Sequence, residues 1–285
     1  MKKAFLACAA VIACWSFVYP AQNFSVKTNN NVPSVIPVAK PFEIGEELVY
    51  SLEWLGIPIG KIKLKIEGYQ EIRNHNCYYI AVSARPTAFF RRFYNVEYAV
   101  ATYLDVKVHY SQRFEKTRRV KSDKSLLIID FDHEKGEART SITGNAPVVS
   151  ISKDRSSLKQ DIPSTPKIAK GTQDLFSAFY YFRLHDIKTN EVIPVPIYFD
   201  ERNWVVNFSV GKPVMRELRK KGSLPVVEVR LTSEMNRYIL GKRAFFFYFT
   251  ADDRRIPIEF KLNTGIGSVR GILQNMPSAQ SNGSL

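Results

Sequence analysis

Strict alternation of charged and aliphatic side chains marks Lys61-Ile62-Lys63-Leu64-Lys65-Ile66-Glu67 as a strand. Ile62, Leu64 and Ile66 share one buried face, and three lysines share the face in water. Glu47 to Trp54 precedes it as a partner strand, and Leu55-Gly56-Ile57-Pro58-Ile59-Gly60 supplies the reversal, because glycine and proline favour turns. Similar runs follow at Tyr78 to Ala84, Val96 to Leu104, Val108 to Lys116, Leu126 to Asp132 and Glu137 to Ile142. The second half adds Val192 to Phe199 and then Trp204 to Phe208, in which Trp204, Val206 and Phe208 face one way. Val226 to Thr232, Arg243 to Phe249, Ile256 to Leu262 and Ser268 to Leu273 complete the set. About a dozen strands separated by turn signals predict a mainly β protein rather than βαβ units. The expected architecture is a curved antiparallel sheet forming an open barrel or a sandwich.

One segment has a different period. Leu175, Phe179 and Phe182 fall at i, i+4 and i+7, with Asp174 placed as an N-cap, which predicts a helix over Asp174 to Leu184. An aromatic-faced helix within a β run covers or plugs a sheet. Before it, Gly144 to Thr172 is irregular and rich in proline, serine and lysine. Connections of this length are lids, mobile excursions or domain boundaries. A boundary here would leave the first half without a helix over its apolar face, so one β-rich domain over residues 42–273 is expected.

The ends differ from this body. Lys2 and Lys3 followed by the apolar stretch Ala4 to Ala13 read as an export signal over residues 1–21. The competing reading is a membrane span, for which the run to Val18 is barely long enough and lacks a positive far flank. Two processing routes remain open: a cut after Ala21, which places bulky Tyr19 where a small residue is preferred, or lipidation at Cys14. Val11-Ile12-Ala13-Cys14 resembles the lipobox of bacterial lipoproteins, although Ile12 is large for its place, and Cys14 is equally readable as an apolar signal residue. Residues 22–41, rich in Asn, Pro, Val and Ser, suit an extended linker, and residues 274–285 a flexible tail.

Composition narrows the chemistry. With 45% hydrophobic and 24% charged residues, the 285-residue chain is neither disordered nor collagen-like, and its 19 Phe and 14 Tyr suit pleated surfaces. Once Cys8 and Cys14 are assigned to the signal, Cys77 is alone in the body, so a disulfide scaffold is excluded. His75, His109, His133 and His185 are scattered without a ligand spacing, so no metal site is expected. No Gly-x-Ser-x-Gly elbow or phosphate loop is present, and Gly265-Ile266-Gly267-Ser268-Val269-Arg270-Gly271 joins two strands without opening a helix. Asp252-Asp253-Arg254-Arg255 reads as a charged turn. No catalytic constellation or cofactor is expected.

The formal charge of +14 stays strongly positive when Lys2 and Lys3 leave with the signal. Basic groupings occur at Arg91-Arg92, around Arg118-Arg119 and at Arg219-Lys220-Lys221. For an exported chain without a nucleic-acid module, the matching surface is an anionic component of the bacterial envelope rather than nucleic acid; a merely solvated basic face is the plainer reading. Ala88-Phe89-Phe90-Arg91-Arg92-Phe93-Tyr94 combines aromatics with arginines, as would hold an acyl chain and its anionic head, or would simply end a strand.

These residues carry a resemblance. Phe42-Glu43-Ile44-Gly45-Glu46-Glu47-Leu48-Val49-Tyr50, with Gly56 and Gly60 ahead of the alternating strand, resembles the opening of the exported bacterial family of unknown function DUF3108. The run Asp174 to Arg183, the Asp253-Arg254-Arg255-Ile256-Pro257 turn and the closing Gly265-Ile266-Gly267-Ser268-Val269 extend it over about Phe42 to Leu273. The resemblance implies a mostly-β envelope protein and lends no catalytic residues. In shape alone the chain is also similar to periplasmic lipid and lipoprotein carriers.

The expectation is a non-enzymatic protein of the periplasm or cell envelope, lipid-anchored if Cys14 is modified. It would bind a lipid or lipidated chain in the concave face of its sheet. Trp54, Phe89, Phe93, Phe179 and Phe182 would form the lining, with Arg91 and Arg92 at the rim. The alternative is an assembly factor that binds another envelope protein or an anionic polymer through its basic patches.

Overall fold

The structure, a computed structural model, describes residues 42–92, 96–120, 122–145, 165–218, 222–233, 245–264 and 267–277. Seven strands come first: β1 (Glu47–Trp54), β2 (Ile57–Ile72), β3 (His75–Pro86), β4 (Val96–Asp105), β5 (Ser111–Val120), β6 (Asp123–Asp132) and β7 (Glu137–Gly144). Six follow: β8 (Val192–Phe199), β9 (Arg202–Leu218), β10 (Gly222–Thr232), β11 (Phe245–Thr250), β12 (Pro257–Thr264) and β13 (Gly267–Leu273). A short helix α1 (Ala88–Arg91) lies between β3 and β4, and α2 (Ser177–Arg183) lies between β7 and β8. The protein is mainly β, as its periodicity predicts.

All thirteen strands form one antiparallel sheet in the order β7-β6-β5-β4-β3-β2-β1-β13-β12-β11-β10-β9-β8. Every pairing but one joins strands consecutive in the chain; β1 beside β13, with Tyr50 opposite Leu273, unites the halves. Among the described residues three connections are two-residue turns with both central residues at positive φ: Leu55-Gly56, Arg73-Asn74 and Asp200-Glu201. That is the turn geometry whose twist matches the strands it joins.

The ladder does not close, and β7 and β8 are its edges. Residues 166–173 bridge them as a strap. Lys167 pairs with Glu137 on β7, and Gln173 pairs with Ile197 on β8. The Ala138 amide donates to the Pro166 carbonyl at 3.0 Å, and the Tyr198 amide to that of Gln173 at 2.8 Å. The strap satisfies backbone groups that open edges would leave exposed. It is the last part of the irregular connection; residues 146–164 lie outside the described residues, as do the signal with Cys14, the linker, Phe93 and the 219–221 basic grouping.

Some boundaries differ from the periodicity. β5 starts at Ser111 rather than Val108 because the Asp105 carboxylate accepts the Lys107 and Val108 amides at 2.7 and 2.9 Å, turning the chain there. α2 starts at Ser177 because Asp174 caps it from outside, its Oδ1 accepting the Phe176 and Ser177 amides at 2.8 and 3.0 Å.

All seven residues of α2 are buried, so the helix sits inside the curved sheet as a plug. Phe182 stacks on Phe208 at 4.8 Å and meets Phe249 at 5.1 Å, while Phe179 meets Phe247 at 5.3 Å. Both ends of the helical segment are fixed by buried polar contacts. Thr102 and Ser111 donate to Asp174 Oδ2 at 2.5 and 2.6 Å. At the other end Arg183, 0% exposed, donates to both Glu46 oxygens at 2.6 and 2.8 Å and to the Arg254 carbonyl at 3.1 Å. These partners lie at the end of the barrel that carries the β2–β3, β4–β5, β6–β7 and β11–β12 turns, here the upper end.

Candidate functional site

The inner face of the sheet follows from register. On β5, Phe114, Lys116 and Arg118 pair with Thr102, Val100 and Tyr98 of β4, placing all three on the core side. On β11 and β12, Phe247 and Phe245 face Phe260 and Leu262. Around α2 this face is sealed. Toward the lower end burial is uneven: Leu52, Tyr98, Leu262 and Val269 are buried there, while Ile62, Leu127, Phe245, Phe247 and Phe260 point inward yet are only partly buried. None lies on an edge strand, so solvent reaches them through the interior. The barrel is therefore filled at its upper end and water-reachable below, with Phe179 and Phe247 at the boundary.

Two cations enter this apolar chamber. Burial pushes the Lys116 ammonium below its ordinary pKa, Arg118 adds to that effect, and Asp200 opposes it. Lys116 stands between Val100 and Leu127 on neighbouring strands. Alternation around Phe114 was the only sign in the sequence that Lys116 and Arg118 turn inward. β5 is so polar on both faces that they read as surface charges.

The expected site residues do not gather in one place. Trp54 packs with Leu52, Ile59, Phe90 and Val269 in a small cluster at the lower end. Phe89 is exposed on α1 beside it, in edge contact with Phe90, and Arg91 and Arg92 are also exposed there. Phe182 is enclosed by the core and offers no open face, and Phe179 presents little more. The helix thus fills the interior rather than covering a concavity from outside.

A second hollow lies on the outer face of β2–β5 and has a volume of about 640 Å³. Its cause is side-chain size. Across two rows the residues run Lys63-Ser83-Ala99-Thr117 and Lys65-Ala81-Ala101-Glu115, long at the sides and small in the middle. Lys61 and Arg85 face each other across strands at one end. Lys63 pairs with Glu47 and Lys65 with Glu67, both at 2.7 Å. Lys61 and Arg85 have no carboxylate within ion-pair distance among the described residues.

Other titratable side chains are held by their neighbours. Cys77 is fully buried, and burial with the nearby Asp105 carboxylate pushes its thiol up to about 12. The His75 ring nitrogen Nδ1 meets Asp105 Oδ2 at 2.8 Å, and His133 Nε2 meets the Ser111 carbonyl at 2.7 Å. Among the described residues no group of His, Cys, Asp and Glu could hold a metal, and no helix is long and apolar enough to cross a membrane.

An open antiparallel β-barrel, strapped across its edges and plugged by one helix, defines a β-barrel-like class of protein. The chain belongs to the family described as "Protein of unknown function (DUF3108)", which it matches over residues 49–274. No curated protein matches it. Among solved structures it is similar to a β-barrel-like protein of the domain of unknown function DUF1849 from Brucella abortus, at 11% identity and a TM-score of 0.52. That match covers 84% of this chain and 99% of the other, and it shows the fold alone. A protein of YmcC-like fold from Bacteroides fragilis aligns at 6% identity over 85% of this chain and 100% of its own, with a TM-score of 0.29, too slight to support an inference.

Proposed function

We propose that the protein is a non-enzymatic, exported binder of an anionic amphiphile. The hydrocarbon part occupies the water-reachable end of the barrel against Phe245, Phe247 and Phe260, and the anionic head meets Lys116 and Arg118. The observation that carries this reading is the inward-facing Lys116 in a partly solvent-accessible aromatic interior. Asp200 offsets only part of the cost of desolvating the Lys116 ammonium, and a carboxylate or phosphate on an acyl chain supplies further negative charge and the apolar surface together. Native mass spectrometry of the gently purified full chain, followed by titration with a lysophosphatidylglycerol, tests it. A one-to-one adduct is expected, weakened about tenfold or more in Lys116→Met, the scale of a charged hydrogen bond. A clean apo mass with no uptake on titration would overturn it.

The outer trough favours a second reading, an anionic polymer lying along the lysines of β2. Two like charges directly opposite each other, such as Lys61 and Arg85, destabilise a strand pair, and a bound polyanion would relieve that repulsion. Retention on immobilised polyglutamate that is lost in Lys61→Glu/Arg85→Glu is the expected result; equal retention of the variant would exclude the trough.

A further inference from the structure

The lower rim breaks a local rule. Of the three described two-residue turns with both residues at positive φ, Arg73-Asn74 and Asp200-Glu201 are polar, as suits that conformation near water, whereas the third begins with Leu55 at φ 50°. A γ-branched apolar residue is disfavoured in that conformation, where asparagine or glycine is preferred. Leu55 is also 63% exposed, its side chain resting only in part over Gly267, so burial offsets little of that backbone cost. Local inconsistencies of this kind mark places selected for something other than folding.

Leu55 is not alone. Ile57, two residues on, is 53% exposed, and Phe89 on α1 is 66% exposed. The three belong to one surface: the Thr87 amide, just before α1, donates to the Ile59 carbonyl at 3.0 Å, and Phe90 packs with Trp54. Cations flank them. Arg91 and Arg92 are exposed on the same helical turn and its cap, and Lys61 and Arg85 stand where β2 and β3 approach the rim. None of these four has a carboxylate within ion-pair distance among the described residues.

We infer that this rim docks on a lipid bilayer bearing anionic head groups. Leu55, Ile57 and Phe89 enter the boundary between head groups and acyl chains, and Arg91, Arg92, Lys61 and Arg85 lie against the phosphates. Apolar tips ringed by basic side chains are the chemistry of interfacial binding: the apolar groups supply insertion, and the cations supply attraction to the negative surface. A purely apolar patch would fit a protein partner equally well; four flanking cations select the anionic lipid surface. This inference stands without the amphiphile reading, although the rim lies at the end where the interior is reachable by water.

Flotation of the full chain with extruded vesicles tests it. Binding is expected to vesicles containing phosphatidylglycerol and not to phosphatidylcholine alone, and to weaken as salt rises. Leu55→Asn/Phe89→Ser is expected to lower partitioning about a hundredfold, and Arg91→Gln/Arg92→Gln about tenfold or more. Leu55→Asn places a preferred residue in the turn, so its thermal midpoint should hold or rise, separating lost docking from lost folding. Met215→Ser, an exposed apolar position on β9 remote from the rim, should float like the unaltered chain. Equal flotation of the rim variants, equal binding to neutral vesicles, or the same loss in Met215→Ser would overturn the inference. Lys116→Met should leave flotation unchanged, so docking and amphiphile uptake fail independently.

Discussion

Removing Glu46 should strand a charge in the core. Arg183 is fully enclosed, and its guanidinium is matched by both Glu46 oxygens, the Arg254 carbonyl and the faces of Phe42 and Tyr180 at 5.2 and 5.5 Å. The Glu46 side chain is itself only 6% exposed, so water cannot replace the lost carboxylate without opening the upper end. Breaking a buried pair from one side costs about 3–5 kcal/mol, whereas replacing both partners by groups of similar shape is nearly neutral. Glu46→Gln and Arg183→Met should therefore each cost about 3–5 kcal/mol, a fall of roughly 6–20 °C in melting temperature for a domain of this size. The double variant should cost no more than either single one, a coupling of several kcal/mol. Urea unfolding of the four proteins, followed by circular dichroism, gives that coupling directly. Additive single costs, or single costs below about 1 kcal/mol, would show that the pair does not hold the plug.

Further outcomes follow from other buried groups. Burial holds His185 below its ordinary pKa, and the same cause lowers His133 and His109. The unfolded chain then binds more protons than the folded one as pH drops from about 6.5, so stability present at neutral pH is lost on acidification. The urea midpoint should fall between pH 7.5 and pH 5.5, and His185→Gln should flatten that slope; an unchanged slope would show that His185 does not contribute. With its thiol fully buried and pushed up to about 12, Cys77 should ignore disulfide-exchange reagents at pH 8, so the native protein and Cys77→Ser should label identically. A β-carbon on Gly271 would fall 2.1 Å from the Phe260 ring, which is held by Tyr50 at 5.5 Å. Gly271→Ala should cost about 1–3 kcal/mol in thermal or urea unfolding, and no loss would mean that the ring can move aside.

Alternation carried most of the secondary structure because one face of an antiparallel sheet is buried and the other wet. It failed where side chains compete for backbone groups. Asp105 delays β5 by holding two amides in a turn, and Asp174 stands outside the helix it caps. The site was less legible. Trp54, Phe89, Arg91 and Arg92 do meet at one rim, but only because strand pairing places Ile59 beside Thr87 and brings Phe90 onto Trp54. Phe179 and Phe182 were readable as the apolar face of a helix, and nothing in their spacing distinguishes a helix lying over a sheet from one enclosed by it.

The order of polar and apolar residues was enough by itself to determine a predominantly antiparallel β protein with one aromatic helix, since both periods are local properties of the chain. Which strand meets which, and so where a face becomes an inside, was decided by the tertiary structure. The contact of β1 with β13 and the strap from β7 to β8 bring distant segments into a ring. Lys63, alternating with core aliphatics, meets water, while Lys116, on a strand polar on both faces, turns toward the aromatic interior. Beyond the alternation around Phe114 no local pattern marks the inward turn of Lys116, because both faces of β5 are polar and only the tertiary structure decides which of them is enclosed.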